Sequence, residues 1–377
     1  MKQKIKFWIE YFFNISHATK SRLAWVDYAK GIALILVAYR HILIGFERAG
    51  LPIHIVLLKA NEMFFSFRMP LFFILSGIFI SKSLEKRGWL NLIKTKWQTL
   101  LYPYIIWCVI QITFQILFSK YTNSDRTLHD YTYILTNPDA LDQMWYLFAL
   151  FNVSTLYIIL KSLLKIPSFA QLAVGIIFYF LSTIFNSGPI RDLFYFYPFF
   201  ALGDLVSDYL LNKKFYPIYR SYALFFSILP AFIVSQWYFL QHEDIEYTHI
   251  FQFAGVALIG CAFMLNICFI LGKYDKLNFL KIVGYHSLYI YILHVGIASA
   301  LRILFVHGLE IKNTNFLLPV NLTLSITLSI MLYNLIIRNG GWFIFILDKK
   351  RINDSINQEK KPLVLENESK VIVSPYN

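Results

Sequence analysis

Apolar residues in this chain come in ten runs of membrane-crossing length. They fall at about residues 25–46, 62–83, 98–119, 144–161, 167–185, 189–211, 220–241, 247–271, 283–305 and 315–337. A helix rises about 1.5 Å per residue, so about 20 apolar residues cross a bilayer's hydrocarbon core. Lipid offers backbone polar groups no partner, which makes each run a helix. The pattern predicts an all-α polytopic membrane bundle of about ten transmembrane helices. The polar intervals divide the chain into an N-terminal segment, 1–21, a membrane domain, 22–347, and a tail, 348–377, whose polarity predicts disorder. Phe7–Phe13 is too short to span, contains Glu10 and lacks a small-residue cleavage site, so it reads as a cytoplasmic interfacial amphipathic turn.

Composition agrees with that pattern. Of the 377 residues, 57% are hydrophobic, 18% aromatic and 15% charged, whereas soluble domains carry about 25% charged residues. Mean hydropathy is +0.54. These values exclude a disordered chain, a collagen and an ordinary soluble enzyme.

The net charge of +13 would suggest a nucleic-acid partner in a soluble protein. Its distribution argues otherwise. With the N-terminus inside, 25 Lys and Arg fall on the inner segments and 7 on the outer loops. Cytoplasmic loops retain such residues, so both termini are expected in the cytoplasm of a multi-pass inner (plasma) membrane protein, without nucleic acid as a partner. Cys108, Cys261 and Cys268 lie in apolar runs without CxxC spacing, which supports neither a disulfide framework nor a zinc site. No repeat of fixed period is visible.

Ionisable groups inside spans are costly and mark cavities, partners or substrate paths. The first span holds Asp27, Lys30, Arg40 and His41; the second holds Glu62 near its start and Arg68 within it. At about 100° per residue, Asp27, Lys30 and His41 share one helix face, and Arg40 is turned about 100° from it. His41 lies in the outer half of the bilayer, at a depth similar to that of Arg68. One reading is a conduit for an acidic substrate. The other is a structural network in which Asp27 pairs with Lys30 and His41 is hydrogen-bonded in the bundle.

The segment Arg22–Gly31 (RLAWVDYAKG), continued by Ile-Leu-Val-Ala-Tyr-Arg-His41, resembles the first-helix signature of the acyltransferase-3 family of integral-membrane acyltransferases. The segment from Phe65 to Gly77 (FSFRMPLFFILSG) resembles the family's second-helix pattern. Fainter echoes follow in Tyr102-Pro103-Tyr104, in Met144–Leu147 and in Ser287–His294. Arg68 stands where many relatives have His, and lysines replace an arginine pair in the inner link.

The resemblance implies transfer of an acyl group, usually acetyl, from cytoplasmic acyl-CoA (acetyl-CoA as co-substrate) to a hydroxyl of a cell-surface or lipid-linked glycan outside. It makes His41 the essential residue and assigns Lys94 and Lys96 to CoA binding, alongside Asp27 and Lys30 on the shared face. His41 can serve as general base or carry the acyl group itself. Arg68 or Arg40 can stabilise an oxyanion, and Glu62 can orient His41. Trp145 and Tyr146 either stack on an acceptor sugar or belong to an interfacial aromatic belt. Tyr291 and His294 share a face of the ninth span with Ser287; they line the acceptor cavity or make interhelical hydrogen bonds. The loop His242–His249 is expected to be solvated, with no metal, and Asp204 is expected to pair with an inner lysine. The same charged face also fits a transporter or flippase for an anionic or glycan substrate.

Overall fold

The computed structural model describes residues 2–15, 23–119, 125–185, 187–242 and 244–347. The expected disordered tail lies outside these residues, as do Arg22 and Glu243. Among the described residues the chain is helical without strands. Helices of eight residues or more are numbered α1 Lys2–Phe13, α2 Ala24–Arg48, α3 Ile55–Met63, α4 Phe65–Gly77, α5 Ile80–Arg87, α6 Trp89–Lys96, α7 Tyr102–Leu117, α8 Trp145–Ser162, α9 Ser168–Leu181, α10 Pro189–Leu205, α11 Tyr222–Gln241, α12 Ile250–Tyr274, α13 Asn278–Tyr285, α14 Ser287–Ile303 and α15 Thr314–Arg338.

Among the described residues, eight helical stretches are long and apolar enough to cross a membrane. The expected fifth and sixth spans are shorter. The fifth is the apolar stretch Ser168–Ile184. The sixth, α10, stops at Leu205, and a separate turn of helix follows at Ser207–Leu211. Asp192, Pro198 and Asp204 dilute its apolar run. The second expected span is broken at Phe64 and again after Gly77, which separates Glu62 on α3 from Arg68 on α4.

The hub is α2, which packs against α4, α12, α13, α14 and α15. Glycines set its closest crossing. A Cβ on Gly31 would meet the carbonyl oxygen of Leu280, and one on Gly284 would meet that of Asp27. The same reciprocal arrangement joins α4 to α10 through Gly77 and Gly203. Lipid provides no hydrophobic drive between helices, so such close backbone approach is how they gain contact energy.

At the other end of α10, Asp204 pairs with Lys161 at 2.6 Å, as expected of it, and also accepts from Tyr157 at 2.6 Å and Ser168 at 2.8 Å. The N-terminal helix α1 docks on the end of α15. Asn334 donates to the Phe12 carbonyl at 2.7 Å, and the Arg338 guanidinium lies 4.7 Å from the centre of the Tyr11 ring. The first and last described helices therefore meet at one face of the bundle. Phe7, Trp8 and Ile9 stay exposed.

Candidate active site

One cavity of about 1320 Å³ gathers charged side chains from several helices. Arg40 and His41 of α2, Arg68 of α4, Trp145 of α8, Asp192 of α10 and Tyr291 of α14 all line it. Arg40 and His41 both reach it because the cavity wraps around the C-terminal half of α2.

The nearest titratable ring to His41 is that of His294, edge to face, with ring centroids 5.5 Å apart. The Nδ1 of His294 lies 2.9 Å from the Ile290 carbonyl and 2.8 Å from that of Tyr291. Carbonyls only accept, so Nδ1 carries the proton and Nε2 is left as an acceptor. That Nε2 is buried and has no hydrogen-bond partner among the described residues. Arg68 is 2% exposed and donates to the Leu36 carbonyl at 3.0 Å and to Asn61 Oδ1 at 2.9 Å. The Phe65 ring lies 4.8 Å from the Arg40 guanidinium and 5.5 Å from that of Arg68. Cation–π attraction to one ring holds both near His41 despite their like charge.

The other expected residues divide. Glu62 pairs with Lys59 at 3.0 Å and stands outside the cavity lining. The structure thus sets an imidazole, not this carboxylate, against His41. Trp145 stacks on Phe196, with centroids 5.5 Å apart. Tyr146 is buried behind the cavity wall, against Phe72, Phe73 and Tyr291. The Tyr291 hydroxyl donates to the Gln143 carbonyl. Toward the other end of α2, Lys30 lies within electrostatic reach of Asp27 and Lys96, and Lys96 within that of Arg87. Lys94 is exposed. Asp27, Lys30, Lys94 and Lys96 stand outside the lining of the His41 cavity.

Several residues at the cavity mouth escaped the sequence reading. The loop after α7 folds over the opening and is tied down through Asp142, which has a positive φ of 53°. Arg48 pairs with it at 3.0 Å, and Gln111 donates to it at 3.2 Å. Positive φ is unfavourable for a side chain other than glycine, and these partners hold it there. Arg126 donates to the Ala140 carbonyl at 2.5 Å in the same loop.

Asp192 is 3% exposed, and its Oδ2 has no partner among the described residues. Its position in the first turn of α10, after Gly188-Pro189, was the available signal, since a carboxylate is favoured there. The loop expected to be solvated is only partly so. Glu246 lines the cavity, 3.9 Å from Arg191 and 3.5 Å from the Tyr195 hydroxyl. Burial raises its carboxyl above the ordinary range, against the opposing pull of Arg191. Among the described residues there is no cluster of metal-ligating side chains.

The acyltransferase domain family matches residues 23–336, and the chain belongs to it, the acyltransferase-3 family of its helix motifs. It is similar to the nodulation protein NolL of Mesorhizobium japonicum, 25% identical over 192 residues, which are 50% of this chain and 49% of NolL. The match thus spans about half the length of that relative. No solved structure matches the chain.

Proposed function

We propose that this protein moves an acyl group, in the first instance acetyl, from cytoplasmic acyl-CoA to a hydroxyl of a surface or lipid-linked glycan on the outer side of the inner membrane. The observation that carries this reading is His41, which lines one cavity with Arg40 and Arg68 and lies within electrostatic reach of both. The cations Lys30 and Lys96 gather toward the opposite end of α2. Cations at that end suit the phosphates of CoA, although a lysine is a point charge without the bidentate fork of arginine.

In this mechanism His41 acts as general base. Its free ring nitrogen takes the proton of the acceptor hydroxyl as the oxygen attacks the thioester carbonyl. The carbonyl electrons move onto oxygen, where the guanidinium of Arg68 or Arg40 stabilises the developing charge. Collapse of the tetrahedral intermediate re-forms the carbonyl and breaks the carbon–sulfur bond. The proton held by His41 passes to the departing CoA sulfur, which returns the imidazole to its starting form. The motifs of α2 and α4 and the family support acyl transfer. The charge bias of the loops supports use of donor and acceptor from opposite faces.

The test uses sealed vesicles and labelled acetyl-CoA. In right-side-out vesicles, added acetyl-CoA should be inert until loaded into the lumen, while acceptor added outside should be competent. Label on glycan only when both substrates share the cytoplasmic face would sink the cross-membrane part. Movement of unlabelled glycan without consumption of acetyl-CoA would favour a transporter.

A further inference from the structure

Three separate segments bring carboxyls to the His41 cavity. Asp139 comes from the helical turn Pro138–Met144 before α8, Asp192 from the first turn of α10, and Glu246 from the turn Ile245–Thr248 before α12. The Gly188 N–H, just ahead of α10, donates to Asp139 Oδ2 at 2.8 Å and ties the first segment to the second. Two residues of α10 reach the third. The Tyr195 hydroxyl donates to Glu246 at 3.5 Å, and Arg191 lies 3.9 Å from it. Asp192 and Tyr195 are three residues apart and share one face of α10. Trp145 of α8 lines the same cavity.

These carboxyls have fewer donors than they can take. An ionised carboxylate offers about four acceptor sites. Asp139 is given one backbone N–H, and Glu246 one long hydrogen bond and one loose ion pair. Asp192, 3% exposed, lies within electrostatic reach of Asp139, and its Oδ2 makes no hydrogen bond among the described residues. Two ionised carboxylates cannot satisfy each other, and buried acceptors short of donors are costly. A ligand that brings donors relieves that cost.

The charge around them narrows the ligand. Arg191 lies within electrostatic reach of both Asp192 and Glu246 and offsets part of their charge, which favours a neutral donor over a cation. The phosphates of an acyl donor would be repelled. A sugar ring fits: its hydroxyls donate, and its C–H faces suit aromatic walls such as Trp145 and Tyr195. Arg40 joins this wall to the chemistry, being within electrostatic reach of both Glu246 and His41.

We propose that Asp192 and Glu246 form the acceptor subsite, their carboxyls accepting from hydroxyls of a neutral pyranoside that neighbour the one acylated. They thereby choose which sugar, and which of its hydroxyls, meets His41. This rests on the acyl-transfer reading and adds the residues that select the acceptor.

The full chain in lipid nanodiscs is compared with Asp192→Asn and Glu246→Gln, which keep side-chain size and remove one charge each. The probes are methyl hexopyranosides and their monodeoxy analogues, with labelled acetyl-CoA. For a glycoside the wild type acylates, deleting a neighbouring hydroxyl should lower kcat/KM about ten- to hundredfold, the range for a hydrogen bond to a charged group. Each variant should lower kcat/KM for the parent glycoside by a similar factor and lose the preference over one deoxy analogue. The KM for acetyl-CoA should not change. A purely structural role would leave the preference intact.

Saturation-transfer NMR on the same glycosides reads binding without chemistry. The signal should appear with the wild type and weaken in both variants. Acyl transfer with every deoxy preference unchanged in both variants would overturn the subsite alone. No saturation transfer to any glycoside would overturn it as well. Saturation transfer that weakens in the variants, without acyl label on any sugar, would fail the acyl-transfer reading yet leave a sugar site.

Discussion

The imidazole of His294 stands edge-on to that of His41, ring centroids 5.5 Å apart, with its Nδ1–H committed to the carbonyls of Ile290 and Tyr291. Its Nε2 is the one acceptor on that ring. A hydrogen bond from His41 to this nitrogen would leave the second nitrogen of His41 free for the acceptor hydroxyl. Helix α14 then positions the base that α2 carries.

His41→Ala should abolish acyl transfer while the protein still inserts, since the group removed is chemical. His294→Phe keeps the volume and removes the acceptor nitrogen. It should lower kcat roughly ten- to hundredfold, the range for a partner that orients an imidazole, with the KM for acyl-CoA unchanged. His294→Gln, which restores an acceptor, should recover part of the loss. A full rate in His294→Phe would leave that imidazole a purely structural role.

At the donor end, Lys96→Glu should raise the KM for acyl-CoA more than Lys94→Glu does. Lys96 turns toward Lys30, whereas Lys94 is exposed. The effect of Lys94→Glu should shrink as salt rises, because exposed charges are screened over about 10 Å at 0.1 M. Michaelis curves for acyl-CoA at two ionic strengths decide it; equal KM values for both variants and the wild type would move the phosphates elsewhere.

Gly284→Val should destabilise the bundle by about 3 kcal/mol, at the upper end for overpacking. The new side chain would meet the backbone of Asp27, which cannot rotate away. Thermal unfolding in detergent should show a clear drop, with a smaller one for Gly255→Val, where space is open. Equal midpoints would refute the close crossing of α2 and α13.

Asp204→Ala should cost about 2–3 kcal/mol, below the usual figure for breaking a fully buried pair because Lys161 is 19% exposed. The double variant Asp204→Leu with Lys161→Met should regain most of this, since an apolar pair leaves no stranded charge. Unfolding by a denaturing detergent reads both. If the double variant is no more stable than the single, the cost lies in the hydroxyls that donate to Asp204, those of Tyr157, Ser168 and also Ser81, at 2.5 Å.

Much of this protein is legible in its residues taken in order. Apolar run length determines the helical bundle, and helix rise puts His41 and Arg68 at one depth, where the structure finds them lining one cavity. The need of a buried carboxylate for a cation foretold the pairing of Asp204 with Lys161. Each of these follows from local geometry or from the cost of an unpaired charge in lipid, and both are properties of the chain itself.

What faces His41 is different in kind. Glu62 is 21 positions from it and His294 is 253, yet the distant residue is the neighbour. The break at Phe64 ends α3, on which Glu62 pairs with Lys59 one turn earlier, while the packing of α14 on α2 brings in His294. Periodicity shows which face of a helix is polar but not which helix comes to cover it, because lipid-facing and helix-facing apolar residues read alike. The loop folded over the mouth by Asp142 is likewise a contact between distant segments. Only the tertiary structure decides it, because it depends on which surfaces meet.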